Sequence, residues 1–317
     1  MNNKPYESLR YFALALDPIH VGTGGMRLGR VDMSIVREPG TNLPKIPGTS
    51  LSGAARTYAA MQVGKFPQCA GQSGHCGQPD CPICVTFGFA KGSGACFQGL
   101  AQFSDARLLL FPVHSLSGPV WVTCPDVLKD LIAESEPADD TQVRVASGVE
   151  HSGKLNLGWL MLEVTGDAFS LDGQLVVIPG DIKKRAVLVS DKMFSHIVND
   201  NLEVRTSVSI DPQTGAAAEG ALFTYEALPR ASVLYFEVVV SHPKYYRIAR
   251  TVEKNGKKEI ESVIPLSDKE HPEGDIDQVR STVKNGLALF AFLGVGGMNT
   301  RGMGRLRVLN LNAGGAQ

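Results

Sequence analysis

Long apolar runs are missing from this sequence. Nowhere do eighteen consecutive apolar residues occur, so no membrane-spanning helix is expected. The first ten residues, MNNKPYESLR, hold no apolar signal region, and a cytoplasmic protein is the expectation. There is no His-Glu-x-x-His, which excludes a helical zinc-protease site, and no Gly-x-Ser-x-Gly, which excludes a nucleophile elbow. No glycine loop runs into Lys-Ser or Lys-Thr, so a P-loop is excluded as well. No internal repeat is present, which argues against a solenoid or propeller. An excess of one charge is also absent. Lys and Arg number 31 against 32 Asp and Glu, so the molecule as a whole is no electrostatic magnet for nucleic acid.

What charge there is, however, is segregated. Residues 1–66 carry eight Lys/Arg against four Asp/Glu, and residues 291–317 carry three Arg and no acid. Residues 126–140 carry six acids against one Lys. The two basic regions coincide with two glycine-rich segments, HVGTGGMRLGR and GVGGMNTRGMGR (294–305). Glycines allow a backbone to approach a ligand closely. In the second segment Gly296, Gly297, Gly302, Arg301 and Arg305 together suit a phosphate backbone, although a single glycine loop is more often structural. Around the first stand Arg27, Arg30, Arg37, Lys45 and Arg56, with a helix N-terminus expected at Ser50. Phosphate contacts of this type bind without regard to sequence and weaken with salt. One acid, Asp32, follows the first glycine segment among apolar neighbours. It reads either as the cap of a turn or as a reactive carboxylate, and His20 reads either as a packed or as a functional histidine.

At 43% hydrophobic and 20% charged residues, the chain suits one or two globular domains. Alternating apolar residues predict strands over 10–18, with Phe12, Leu14 and Leu16 on one face, and over 100–113, 118–124, 156–164 and 232–240. TSLSGAARTYAAM (49–61) predicts a helix capped by Thr49 or Ser50, whose free N–H groups form a potential anion site. A short helix is expected from Pro125 to Glu134. Ile276, Val279, Val283, Leu287 and Phe290 recur at steps of three and four behind a capping Asp275, which is one helical face. RLRVLNL supplies a last strand. The order strand, helix, strands, helix, strand suits an α+β fold with a ferredoxin-like (RRM-like) core, a single domain over residues 1–317. Residues 63–98 and 176–229 read as insertions, the second with a hairpin turn at IDPQTG.

Four of the six cysteines fall in CAGQSGHCGQPDCPIC: Cys69, Cys76, Cys81 and Cys84. The two-residue gap in Cys81-Pro-Ile-Cys84 lets both sulfurs grip one tetrahedral ion, so the expectation is a structural zinc ion. Reduced cysteines without metal are the alternative, and His75 is a candidate to replace one thiolate. Four protein ligands leave no open position, so such an ion staples a loop and does not catalyse. Cys96 and Cys124 are expected to be core thiols.

The motifs combine into a resemblance. HVGTG, GRVDMSIVRE and PKIPGTSLSGAAR, then CPICVTFGFA, FPVHSLSGPVWVTCP, GALFTYEALP and VGGMNTRGMGR, resemble in order the RAMP superfamily of CRISPR proteins. Within it the chain resembles the repeated backbone subunit of a type III-B (Cmr) effector, with the type III-A backbone subunit next. The resemblance implies an RRM-like palm and a thumb hairpin within 176–229. It implies copies stacked as a filament along guide RNA beside other effector subunits, and target RNA cut at regular intervals by a metal-assisted endoribonuclease reaction centred on Asp32. His20, Tyr225 and Glu226 match the assisting neighbourhood. Arg37, Lys45, Ser50, Arg56, Gly296, Gly297, Arg301, Gly302 and Arg305 fall in segments that match RNA-contacting positions. Ser52 stands where a lysine is common, and His114 where an arginine is common. A single carboxylate holds Mg²⁺ or Mn²⁺ weakly, so the catalytic ion is expected only with RNA bound. A non-cleaving RNA-binding scaffold with the same fold is the alternative. A small-molecule enzyme with a metal-stapled loop is the third reading, and the lack of paired acid and base residues counts against it.

Overall fold

A computed structural model of the chain describes residues 4–24, 31–71, 74–90, 96–132, 139–166, 168–171, 175–218, 222–254 and 257–311. Arg27 and Arg30, with Gly25 and Gly29 of the first glycine segment, lie outside the described residues. The fold is mixed α+β. Four strands run in the order Leu306–Val308, Tyr6–Ala15, Val233–Ser241, Ala106–Ser115, and every adjacent pair is antiparallel. The central pair is the longest, in register from Tyr6 opposite Ser241 to Leu14 opposite Val233. In Tyr6–Ala15 the residues at 9, 11, 13 and 15 are buried, and so is Phe12. The expected face was the even one. Leu14 is only partly buried and Leu16 lies past the strand, because this strand is covered on both sides and simple alternation no longer marks the core.

The helix Gly48–Gln62 follows the first strand in the chain, and Ile276–Ala288 precedes the last. The two are tied near their ends. The Tyr58 ring meets Phe290 edge-on at 6.0 Å, and its hydroxyl donates to the carbonyls of Leu293 and Gly294. The Asp275 cap is as expected: its carboxylate accepts from the N–H groups of Asp277 and Gln278, and Val279, Val283, Leu287 and Phe290 are buried. The cap expected for the first helix is corrected. Pro47 precedes the helix and makes no side-chain cap, while Thr49 and Ser50 lie inside the first turn. The acceptor comes from elsewhere, with Asp105 Oδ1 taking the Gly48 N–H at 2.8 Å.

Beyond Ala106–Ser115 the sheet continues through Gly118–Thr123, the parallel strand Ala186–Leu188, Gln142–Val145, Leu160–Val164 and Lys154–Leu157. The single strand expected over 156–164 is two. Gly158 takes φ +60, which only glycine adopts without strain, and the chain folds back there into a hairpin. Trp159 at its tip is 89% exposed. The helix after Cys124 spans only Pro125–Leu128. Cys124 is buried as expected, but Cys96 is exposed on the short strand Cys96–Phe97.

The segment 176–229 is of two kinds. Its first part belongs to the main body, through Ala186–Leu188 and the helix Asp191–Asp200, capped by Ser190. Its second part is a separate antiparallel hairpin, Glu203–Ser207 with Phe223–Ala227, extended by a bridge from Ile210 to Ala217 around the IDPQTG turn. A second such hairpin, Ile248–Lys254 with Lys257–Val263, was not anticipated. Among the described residues no helix is long and apolar enough to cross a membrane.

Candidate active site and metal centre

Asp32 sits where the chain after the first glycine segment meets the hairpin strand Phe223–Ala227. Met33 bridges Tyr225, the Met33 N–H donates to the Thr224 carbonyl at 3.1 Å, and the Glu226 N–H donates to the Met33 carbonyl at 3.0 Å. The Asp32 carboxylate is fixed by one residue. Its Oδ2 accepts from the Thr224 N–H at 2.7 Å and from the Thr224 hydroxyl at 2.9 Å, and the Asp32 N–H returns a bond to the same hydroxyl. These bonds favour the ionised form and hold the carboxyl below the usual carboxylate range, the backbone N–H contributing most.

Side chains alternate across a strand, so Tyr225 projects to the face opposite Thr224. On that face the His20 ring meets Tyr225 edge-on at 6.0 Å, and both are buried. His20 Nδ1 lies 2.6 Å from the Glu226 carbonyl. A carbonyl only accepts, so Nδ1 carries the proton and Nε2 is left as the acceptor in the neutral ring. The Glu226 carboxylate accepts from Arg37 Nη2 at 2.9 Å and from the Ile35 N–H at 3.3 Å. It pins the segment that carries Asp32. Thr224 was missed in the sequence, where nothing in FTYEA singled it out.

The C-terminal glycine loop closes on the same place. The Gly297 N–H donates to the His20 carbonyl at 2.8 Å. Gly296 packs so closely that a Cβ there would lie 2.4 Å from that carbonyl oxygen. Met298 and Met303 pack with Tyr225, and the exposed Arg301 lays its guanidinium over the Phe223 ring at 5.3 Å.

The four cysteines converge as expected. The Sγ atoms of Cys69, Cys76, Cys81 and Cys84 all lie within 4.8 Å of one another, with Cys76 and Cys84 3.7 Å apart and Cys69 and Cys81 4.0 Å apart. Tetrahedral zinc with Zn–S near 2.3 Å needs sulfurs about 3.8 Å apart, so the cage fits a thiolate-bound ion. The hydrogen bond shared by Cys81 and Cys84 pushes the Cys81 thiol well down from the ordinary thiol range and the Cys84 thiol up. His75 Nδ1 is 2.7 Å from Arg56 Nη2. Arg56 binds the loop from inside: Nε donates to the Cys69 carbonyl at 2.7 Å and Nη1 to the Gly88 carbonyl at 2.8 Å.

A model of the RAMP superfamily matches residues 13–307. The chain belongs to this superfamily. Among RAMP proteins it is 28% identical over 247 residues to the CRISPR system Cmr endoribonuclease Cmr4 of Pyrococcus furiosus, covering 71% of this chain and 79% of that one. It is 34% identical over 93 residues to the Csm3 endoribonuclease of Enterococcus italicus, covering 29% of this chain and 41% of that one. Its fold matches oligomeric Cmr4 from Pyrococcus furiosus with TM-score 0.59 at 20% identity, over 95% of this chain and 96% of that one. It also matches a chain of the type III-B Cmr-beta complex bound to cognate target RNA, with TM-score 0.62 at 16% identity, over 97% and 99%. This RAMP chain is thus similar in sequence to the Cmr4 and Csm3 endoribonucleases and in fold to chains of Cmr structures.

The basic residues expected to contact RNA are mostly engaged within the RAMP fold itself. Arg37 pairs with Glu226 and donates to Asn199; Lys45 pairs with Asp105 at 2.5 Å; Arg305 grips Asp17 through two bonds. Arg301 makes no ion pair among the described residues. Gly302 is exposed, with open space where a side chain would project. An open cleft over the first turn of Gly48–Gln62 is lined by Thr49, Ser52, Arg56, Phe87 and Phe103, with the two phenylalanine rings stacked 6.0 Å apart.

Proposed function

We propose that the chain is the guide-RNA-binding backbone subunit of a type III CRISPR effector and that it cleaves complementary target RNA at Asp32. The mounting of Asp32 carries this reading: a partly exposed carboxylate, kept ionised and aimed by Thr224 of the hairpin strand Phe223–Ala227, while the exposed cation Arg301 covers Phe223 on the other face of that strand. The four-strand order supports an RRM-like palm, and the hairpin 203–227 supports a thumb. Val204, Thr206, Val208, Ile210 and Leu222 line one face of that hairpin and are all exposed, apolar for the most part and available to wedge against bases. Arg301, Gly302 and the Thr49–Ser52 cleft offer surfaces to RNA phosphates along its length. Binding through such groups does not read base identity. Neighbouring copies extend the path as a filament with other effector subunits.

The donor set at Asp32 suits Mg²⁺ or Mn²⁺ only together with RNA phosphate oxygens, because Glu226 is committed to Arg37 and Ile35. Bound there, the ion stabilises negative charge on the scissile phosphate. Asp32 contributes its carboxylate charge. His20, Tyr225 and Glu226 hold the hairpin and the Asp32 segment together. The cysteine cage holds zinc and staples the loop 63–98. An effector rebuilt with Asp32→Asn subunits is expected to assemble, hold guide and bind target, yet to cut at background rate. Cleavage at the wild-type rate would leave the chain a scaffold and assign the nuclease to another subunit.

A further inference from the structure

We propose that Thr224 is the positioning residue of Asp32, fixing the carboxylate to the hairpin and reserving its Oδ1 for the RNA-bound reaction. The proposal rests on the reading of Asp32 as the reactive group. Both bonds that Thr224 donates fall on Oδ2, and the hydroxyl also accepts the Asp32 N–H, so one side chain fixes carboxylate and backbone together. A hydroxyl is required for this pattern, since it must donate and accept at once. Serine meets that need and valine of the same shape does not.

The ladder makes the attachment rigid. Met33 is bonded on both sides, from its N–H to Thr224 and from its carbonyl to Glu226, a single parallel bridge opposite Tyr225 that ties residues 32 and 33 to the hairpin. Arg37 and the Ile35 N–H extend the same seam through the buried Glu226 carboxylate. The carboxylate therefore rides on the hairpin, on the same strand face as Leu222 and opposite the buried Tyr225 and His20. Thr224→Val keeps the backbone bond and the volume and removes the hydroxyl bonds alone.

The test compares Thr224→Val and Thr224→Ser in two measurements. In the full-length isolated subunit, the Asp32 side-chain carboxyl is followed by ¹³C NMR through an acid titration. Its midpoint is expected to rise in Thr224→Val and to return towards wild type in Thr224→Ser. In the rebuilt effector with Mg²⁺, single-turnover cleavage by Thr224→Val is expected to fall about 10–100-fold, as losing a partner that orients a metal-binding carboxylate does. Guide and target binding should not change, the acid limb of the rate profile should move to higher pH, and Thr224→Ser should recover most of the rate. An unchanged titration in Thr224→Val overturns the clamp. A shifted titration with wild-type cleavage overturns the positioning role. An Asp32→Asn effector that still cuts removes the catalytic reading, and the titration then still decides whether Thr224 holds the carboxylate.

Discussion

The two clusters of chemistry in this chain are built on opposite plans. Around the cysteine cage every donor faces inward: Cys69, Cys81 and Cys84 are buried, Arg56 ties the loop through two carbonyls, and four sulfurs fill all the positions a tetrahedral ion offers. At Asp32 a single carboxylate is held through one oxygen and partly exposed. A closed donor set stabilises a fold and an open one leaves room for a substrate. Two sites with acidic or thiolate ligands in one chain thus take different roles because of what their neighbours leave unoccupied.

Breaking the open site should give the largest effect. Asp32→Asn preserves size and can still accept the Thr224 bonds, so folding is spared. Loss of the charge is expected to slow single-turnover cleavage by about 10²-fold or more, measured with labelled target RNA and Mg²⁺. Breaking the closed site should leave chemistry in place and cost structure. Cys81→Ser with Cys84→Ser is expected to abolish zinc retention, read by metal analysis, and to raise hydrogen exchange across 65–98 while the four-strand core stays protected.

A sharper contrast comes from Arg56. Arg56→Ala leaves the carbonyls of Cys69 and Gly88 without their donors, and a loss of about 1.5–3 kcal/mol in stability is expected by denaturant unfolding. Arg301→Ala, by contrast, should leave stability within about 0.5 kcal/mol and weaken guide binding in a salt-dependent way, equally on unrelated guides. Equal destabilisation by both would erase the distinction between a half-buried latch and an exposed contact. The smallest effect concerns Arg305→Ala. Its pair with Asp17 is half exposed and screened by solvent, so the denaturant midpoint should stay close to that of the wild type.

How much of this was legible in the sequence varies with the range of the interactions. The cysteine cage was, because its four ligands lie within sixteen residues and a short loop has few ways to arrange them. The Asp275 helix was, because its cap and apolar face are local. The start of the first helix was not. Its acceptor, Asp105, is 57 residues away, so no local pattern marks it. Thr224 lies 192 residues from Asp32 and is a plain β-branched residue in a plain strand. Arg56 was read as a phosphate contact, and no local pattern marked its second task of holding the carbonyls of Cys69 and Gly88. The glycines of the C-terminal loop were read for the ligand approach they permit. Gly296 is used at least as much by the protein, since its missing side chain lets the loop lie on the carbonyl of His20.

The chain has two tryptophans, and the fold has placed them in contrasting optical environments. Trp121 is partly buried in the sheet with its indole N–H on the Ala231 carbonyl, whereas Trp159 stands almost wholly in water at the tip of the hairpin that Gly158 creates. Emission from the indole at 159 is therefore red-shifted and open to aqueous quenchers, and that from 121 is shielded. The protein carries its own pair of spectroscopic reporters, one for the integrity of the sheet and one for whatever approaches its far end.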